Sequence, residues 1–255
     1  MKNLDKNEIE CIKSNETKII SNENNTSPLK KFLSELTGSI FLLFIGSGVG
    51  VYTQGDIVPI SFCNGFILAS NIYIFGDISG GHFNPSISLA MFLRKKLSLI
   101  ELIYYIFGQL IGGFIGSVLV ALCNRGKFDK LASNQIGGFI KKYNEQNNNL
   151  KIDAWSYISA LLCDIFLTII LIIIYFTMTK NKNSINPLFV GFTLTMFIFA
   201  GFYISGGSMN IVRSLPPAVY EAFAGDNTAI KQIWIYIVGP FVGAIIGNYV
   251  SLYFI

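Results

Sequence analysis

Long apolar runs separated by short polar stretches make up most of the chain after residue 31. Six of these runs have the length of a transmembrane helix, which needs about 20 mostly apolar residues to cross the bilayer core. The pattern therefore predicts spanning helices at Phe32–Tyr52, Ile57–Gly76, Leu97–Leu122, Ala154–Met178, Pro187–Ile204 and Ile230–Ile255.

Two shorter apolar segments each follow a Gly-Gly pair and share a motif. Residues 78–86 read Ile-Ser-Gly-Gly-His-Phe-Asn-Pro-Ser, and residues 204–212 read Ile-Ser-Gly-Gly-Ser-Met-Asn-Ile-Val. Glycine permits a tight non-helical approach, and asparagine is a favoured N-cap residue. Pro85 suits the first helical position, where its missing N–H costs nothing. We predict two short re-entrant helices, at about 84–93 and 210–223.

A second pair of matching blocks indicates an internal repeat. Residues 105–116 and 236–247 share Tyr, Ile and three glycines at four-residue spacing, which favours close helix packing in lipid. Each half, about 32–123 or 154–255, contains three spans, and the loop 124–153 joins the halves. Because three is odd, the halves insert in opposite senses. Such an inverted-topology repeat places a shared site near the bilayer midplane.

Composition and charge agree with a multi-pass membrane protein. Hydrophobic residues make up 52% of the chain and charged residues 13%, about half the usual charged share. We predict an all-α membrane protein with one membrane domain, 32–255. Residues 1–31 are polar, lack the apolar core of a signal peptide and are predicted to be a disordered tail. Basic residues favour the side of this tail, which places both termini in the cytoplasm.

The meeting point of the two short helices predicts a particular chemistry. Two facing N-termini place two positive dipole ends at the bilayer centre. Asn84 and Asn210 would cap these ends with their side-chain oxygens and leave their amide N–H groups free for a passing oxygen. Neutral hydrogen-bonding molecules would pass, whereas cations and protons would be resisted. Arg213 is a further functional candidate because a basic residue at this depth is costly; the alternative is a buried structural ion pair.

Glu35 and Asp164 occupy equivalent places in the first span of each half. We interpret them as acceptors for the backbone N–H groups of the re-entrant loops, which need partners inside the membrane. The alternative, a proton relay, would defeat the barrier to cations. His82, the sole histidine, could sense pH, but a place in the pore vestibule or packing within its loop is the favoured interpretation.

Other chemistry is not expected. The four cysteines lack CxxC spacing and histidine partners, so neither a disulfide framework nor a metal site is predicted. No nucleophile–base pair indicates an enzyme, and we expect no cofactor and no nucleic-acid partner.

At this point the motifs resemble those of the aquaporin (major intrinsic protein) family. Residues 79–86 are similar to its first Asn-Pro-Ala signature and residues 210–219 to its second, with Arg213 matching the filter arginine. Glu35 and Asp164 match its paired acidic residues, although Asp replaces the usual Glu at 164. The resemblance covers 32–255 and implies a homotetramer with one pore in each subunit.

The chain departs from the family pattern inside both signatures. Ser86 replaces Ala in the first signature, and Ile211 and Val212 replace Pro and Ala in the second. Ile211 loses the φ restriction of proline, and Val212 is bulkier than alanine. Since Asn210 remains, we expect the pore to survive with altered tightness.

The resemblance also implies where the narrow selectivity filter lies. The filter positions follow from their spacing to the two asparagines. Water-selective members carry an aromatic residue at the first filter position and His at the second, whereas this chain carries neither. We therefore expect a wider and less polar opening. Ser214 and Ala218 instead resemble residues of the water-channel branch. To predict which solutes pass, we give more weight to the filter residues, because their side chains form the constriction itself. The four implied filter residues are Asn64, Ile198, Gly207 and Arg213.

The predicted function is a passive channel for water and small neutral solutes such as glycerol or urea, embedded in membrane lipid. We expect the plasma membrane rather than an internal one. The alternatives are a dedicated solute channel with low water permeability, a non-conducting structural or junctional protein of the same fold, and a secondary transporter, since inverted repeats are common there.

Overall fold

A computed structural model describes residues 26–137, 152–180 and 183–255. Within these ranges the chain forms eight α-helices and no strand. Six are long and apolar enough to cross a membrane, and two are short, with 9 and 13 residues. The predicted all-helical fold is confirmed. The helices are α1 Pro28–Tyr52, α2 Ile57–Ser79, α3 Pro85–Leu93, α4 Leu99–Cys123, α5 Ala154–Lys180, α6 Asn186–Ser205, α7 Ile211–Phe223 and α8 Thr228–Phe254.

The first helix begins earlier than the apolar pattern predicts. Helix α1 starts at Pro28, inside the segment 1–31 that was expected to be disordered. Ser27 caps it by accepting a hydrogen bond from the Lys30 backbone N–H at 3.3 Å. Capping chemistry therefore extends the helix through polar residues that an apolar run does not include. Residues 1–25 and 138–151 of the predicted tail and loop lie outside the described residues.

The long helices pack in pairs that reproduce the repeat. Helix α1 packs on α4, α5 packs on α8, and α2 packs on α6 across the two halves. A Cβ added at Gly112 would lie on the Leu36 carbonyl oxygen, and one at Gly243 would lie 2.7 Å from the Ile165 carbonyl oxygen. The predicted rows of glycines thus allow backbone-to-backbone contact in both halves.

The short helices α3 and α7 lie between the long ones, each against α4 and α8. Arg94 at the C-cap of α3 fastens this helix to its surroundings. Its Nε donates to Asn248 Oδ1 at 2.9 Å and its Nη2 to Ser251 Oγ at 2.5 Å. The guanidinium also lies 4.4 Å from the Phe176 ring centroid. A positive charge at a helix C-terminus is favourable, so Arg94 stabilises the end of α3 remote from the site.

Candidate functional site

The two re-entrant loops have matching backbone conformations. The C-cap residues of helices α2 and α6 are Gly80 and Gly206, whose φ angles are +89° and +79°. These left-handed conformations are readily available only to glycine. Asn84 and Asn210 are the N-cap residues of α3 and α7, with φ angles of −154° and −150°. The similarity predicted from the repeated motif extends to individual dihedral angles.

The asparagine side chains connect the two halves. Each Oδ1 accepts from the backbone N–H two residues ahead at 2.9 Å, as a helix cap. Asn84 Nδ2 donates to the Met209 carbonyl, and Asn210 Nδ2 donates to the Phe83 carbonyl, both at 2.9 Å. This corrects the expectation that the amide N–H groups are all free. One N–H of each carboxamide is used across the molecule, which leaves one on each for another partner.

Glu35 lies at the centre of a hydrogen-bond network within the first half. Its side chain is fully buried. The carboxylate accepts four bonds of 2.6 to 3.0 Å, two of them from backbone N–H groups of the re-entrant loop. A bent backbone inside a membrane needs such acceptors because no water is available. The donors are Ser79 Oγ, His82 N, Phe83 N and Gln109 Nε2.

Asp164 takes the equivalent place in the second half but is bonded more loosely. It accepts from Ser205 Oγ, Ser208 N and Met209 N at 3.2 to 3.4 Å. Aspartate is one methylene shorter than glutamate, and its carboxylate therefore stays further from the loop. The second loop is held by weaker bonds than the first.

Two tyrosines support the loops, a role that the sequence did not reveal. Tyr105 Oη donates to the Ser79 carbonyl and Tyr236 Oη donates to the Ser205 carbonyl, each at 2.7 Å. Both tyrosines are buried. Their match between the halves was visible in the repeat, and this pair of contacts explains it.

A cavity of about 260 Å³ passes along the asparagine pair. Both asparagines line it, and they are 4% and 8% exposed. All four implied filter residues line the same cavity, and apolar residues cover much of the remaining wall. The polar or filter residues include Asn64, Asn84, Ile198, Gly207, Asn210 and Arg213, and the apolar ones include Leu68, Leu171 and Leu194.

The remaining signature residues, Pro85, Ser86, Ile211 and Val212, do not line the cavity. Pro85 occupies the first turn of α3, and Ser86 is fully buried. Val212 is also fully buried, and its Cγ1 lies 2.8 Å from the position that a Cβ on Gly113 would take. The extra volume of Val212, expected to alter the tightness of the pore, is accommodated against α4. Ile211 likewise lies outside the lining.

We predict that Gly113→Ala lowers the melting temperature of the purified protein. The new methyl group would meet Val212 at 2.8 Å and Pro216 at 2.9 Å, and overpacking of this kind costs about 1–3 kcal/mol. The double variant Gly113→Ala, Val212→Ala should recover part of the loss. Equal melting temperatures for the wild type and Gly113→Ala would contradict this packing.

A loop segment that we interpreted only as a connection also lines the cavity. Residues 132–137 contribute to the wall next to the filter residues. Arg213 Nη2 donates to the Ala132 carbonyl at 3.0 Å, and Asn134 Nδ2 donates to the Gly206 carbonyl at 2.9 Å. The signal available in the sequence was the presence of large apolar residues within an otherwise polar loop, two of them in this segment. Both of them, Leu131 and Ile136, are fully buried.

A sequence model of the family described as Major intrinsic protein matches residues 22–251. The chain belongs to the major intrinsic protein family. This is a family of membrane channels, and the chain is an integral multi-pass membrane protein.

Its relatives include proteins named as a glycerol facilitator and as aquaporins. It is 30% identical to Glycerol uptake facilitator protein-like 6 of Lactiplantibacillus plantarum, over 87% of this chain and 96% of the relative. It is 28% identical to Aquaporin Z of Photorhabdus laumondii, over 86% and 95%. Human Aquaporin-9 is 30% identical, over 88% and 81%. The X-ray structure of the aquaglyceroporin from Plasmodium falciparum shares the fold, with a TM-score of 0.73, 20% identity and coverage of 88% and 95%.

The environment of Arg213 in this major intrinsic protein does not fit an ion pair. The described ranges contain one ion pair, between Lys31 and Glu101 at 2.8 Å, and it joins α1 to α4. Arg213 Nη1 is buried and has no hydrogen-bond partner among the described residues. The structural ion pair considered as the alternative for Arg213 is therefore not formed.

His82 packs within the first loop of this major intrinsic protein. Its side chain is 1% exposed, and its Nδ1 lies 3.0 Å from Ser88 Oγ. The ring lies between those of Tyr105 and Tyr175, with centroids 5.1 and 5.9 Å away. His82 also lines the cavity, so its position agrees with the pore-vestibule and loop-packing interpretations.

Proposed function

We propose that this chain is a passive channel for water and small neutral solutes, with glycerol and urea as the first candidates, and that it excludes ions. The observation that carries the proposal is one cavity lined by both capping asparagines and by Arg213. Relatives named as a glycerol uptake facilitator and as aquaporins support both classes of permeant.

The asparagines provide the central step. Each has one amide N–H left after its bond to the opposite half. A water or hydroxyl oxygen at the midplane would accept from both asparagines, so its own hydrogens would point away from the centre. Such an arrangement interrupts the continuous chain of donors that a hopping proton requires. The two helix N-termini add positive potential, which opposes any cation.

Asn64 and Arg213 give the proposed filter both kinds of hydrogen-bonding group. Asn64 Nδ2 donates to the carbonyls of Ile60 at 2.8 Å and Gly46 at 3.3 Å. Because both N–H groups are used, Asn64 has only its oxygen to offer, as an acceptor. Arg213 Nη1 offers donors. A solute with hydroxyl or amide groups can satisfy both, and Gly207 leaves room for more than a single water.

The proposal extends to assembly and orientation. The family resemblance supports a homotetramer with a pore in each subunit. The greater number of basic residues on one side supports cytoplasmic termini, which places residues 131–137 on the outer side. We propose the plasma membrane as the location.

Stopped-flow light scattering on proteoliposomes with the full-length chain tests the proposal. Shrinkage after an osmotic step should be faster than in empty liposomes, and glycerol or urea steps should show fast re-swelling. Solute flux without water flux would favour the dedicated solute channel. Rates equal to those of empty liposomes would favour the non-conducting protein, and flux that depends on an ion gradient would favour a transporter.

We predict that Ile198→Trp closes the channel to solutes. Ile198 is 5% exposed and lines the cavity beside Gly207, so the larger indole would occupy the space available to glycerol. Solute flux should fall to the level of empty liposomes. Phe199→Trp is the matched control, since Phe199 is 37% exposed on the outer face of α6 and its replacement should leave flux unchanged. Full glycerol flux in Ile198→Trp would show that Ile198 is not part of the filter.

A further inference from the structure

We propose that Glu221 is a positioning residue that sets the selectivity of the outer constriction by clamping the loop that holds Arg213. The inference rests on the proposed function, because it assumes that Arg213 lies in the filter. It assigns a role to a buried carboxylate that belongs neither to the two signatures nor to the cavity lining.

The carboxylate of Glu221 binds the connecting loop at two residues. Glu221 lies in α7 and is 4% exposed. Its Oε1 accepts from the Leu131 backbone N–H at 2.8 Å and from the Ser133 backbone N–H at 3.3 Å. Its Oε2 accepts from Ser133 Oγ. Bonds from N–H donors to a carboxylate are stronger than those between neutral groups, so this segment of loop is firmly attached to α7.

The residue between the two clamped ones is the partner of Arg213. Ala132 has a φ of +52°, a conformation that is unfavourable for a residue with a Cβ. Its carbonyl accepts the bond from Arg213 Nη2 at 3.0 Å. A backbone conformation of this kind persists only where the surroundings impose it. The bonds to Glu221 on both sides of Ala132 are such a constraint, and they direct its carbonyl toward the guanidinium.

The opposite side of the loop is limited by α1. A Cβ added at Gly50 would lie 2.7 Å from the Cβ of Ala132. Gly50 and Ala132 both line the cavity. The loop is therefore confined between α1 and the carboxylate on α7, and movement in either direction displaces the acceptor of Arg213.

Glu221 acts on Arg213 through the loop. Within the described ranges the two residues form no ion pair, and the Glu221 carboxylate accepts its three hydrogen bonds from the loop. A guanidinium held by a fixed acceptor defines a fixed aperture. Loss of the clamp should let Arg213 move away from the axis and admit longer solutes.

The test compares proteoliposomes containing the full-length wild type, E221Q, S133A and G50A. The measured quantity is the ratio of four-carbon polyol permeability to water permeability. E221Q keeps one acceptor oxygen and the side-chain volume, and S133A removes a single hydroxyl donor to Glu221. We expect the ratio to rise several-fold in E221Q and less in S133A.

G50A, which displaces Ala132 from the other side, should also change the ratio. E101Q, at the ion pair on the opposite end of the molecule, is the control and should leave the ratio unchanged.

A second arm separates positioning from a general structural effect. E221Q is also made in the Arg213→Ala background, and the two changes are analysed as a double-mutant cycle. If Glu221 acts through Arg213, E221Q should produce no further rise there. An equal rise in both backgrounds, or an unchanged ratio in E221Q within a conducting wild type, would overturn the inference. A wild type that does not conduct would instead refute the proposed function on which the inference rests.

Discussion

Replacement of Glu35 by alanine should abolish the folded channel. The side chain accepts four hydrogen bonds in the first half of the protein and is fully buried. Each buried donor left without an acceptor costs about 1–3 kcal/mol. Four such losses are comparable with the whole stability of a typical domain, roughly 5–15 kcal/mol. We expect little monodisperse protein after purification and no osmotic permeability above that of empty liposomes.

Two further variants make this result specific. Glu35→Gln keeps the size and one acceptor oxygen, so its yield of monodisperse protein should lie between those of the wild type and Glu35→Ala, and its melting temperature should lie below that of the wild type. Glu101→Gln removes the carboxylate of the partly exposed pair with Lys31, a type of interaction worth only about 0–1 kcal/mol. It should fold normally. A stable, conducting Glu35→Ala protein would show that the re-entrant loop does not depend on this carboxylate.

Arg213→Ala should make the channel leak cations and admit larger solutes. A unit charge roughly 6 Å from a passing cation raises its energy by about 3 kcal/mol at an effective dielectric constant of about 20. That barrier corresponds to about a hundredfold in rate. Removing the side chain also vacates part of the cavity wall. We expect a large rise in proton flux, measured with a pH dye inside proteoliposomes, and a higher permeability to four-carbon polyols.

Arg213→Lys distinguishes charge from shape. Lysine keeps the positive charge but lacks the planar fork of the guanidinium, one nitrogen of which donates to the Ala132 carbonyl. Proton exclusion should therefore be largely retained, whereas solute selectivity should change. Proton and solute fluxes that are both unchanged in Arg213→Ala would place this residue outside the conducting path.

The features that sequence reasoning predicted depend on neighbours in the chain. A spanning helix needs only a sufficiently long apolar run, and an asparagine cap bonds an N–H two residues away. The repeated motifs then predicted that the two halves insert into the membrane in opposite senses. The spans and both re-entrant helices were predicted to within a few residues, apart from the start of α1, where Ser27 and Pro28 extended the helix.

The features that were missed depend on contacts between distant residues. Ala132 lies 81 residues from Arg213, and Leu131 lies 90 residues from Glu221. Neither pair has a local pattern, since a loop carbonyl and a loop N–H are present at almost every position. The accommodation of Val212 by Gly113 was hidden for the same reason. Periodicity shows which face of a helix is apolar but not which residue of another element fills a gap.

The reciprocal bonds between the loops have a consequence for the tolerance of each half to change. Asn84 is aimed by a carbonyl of the second half, and Asn210 is aimed by a carbonyl of the first. A shift of either loop therefore misdirects the donor that belongs to the other. A substitution that displaces one loop is therefore expected to disturb the orientation of both asparagines.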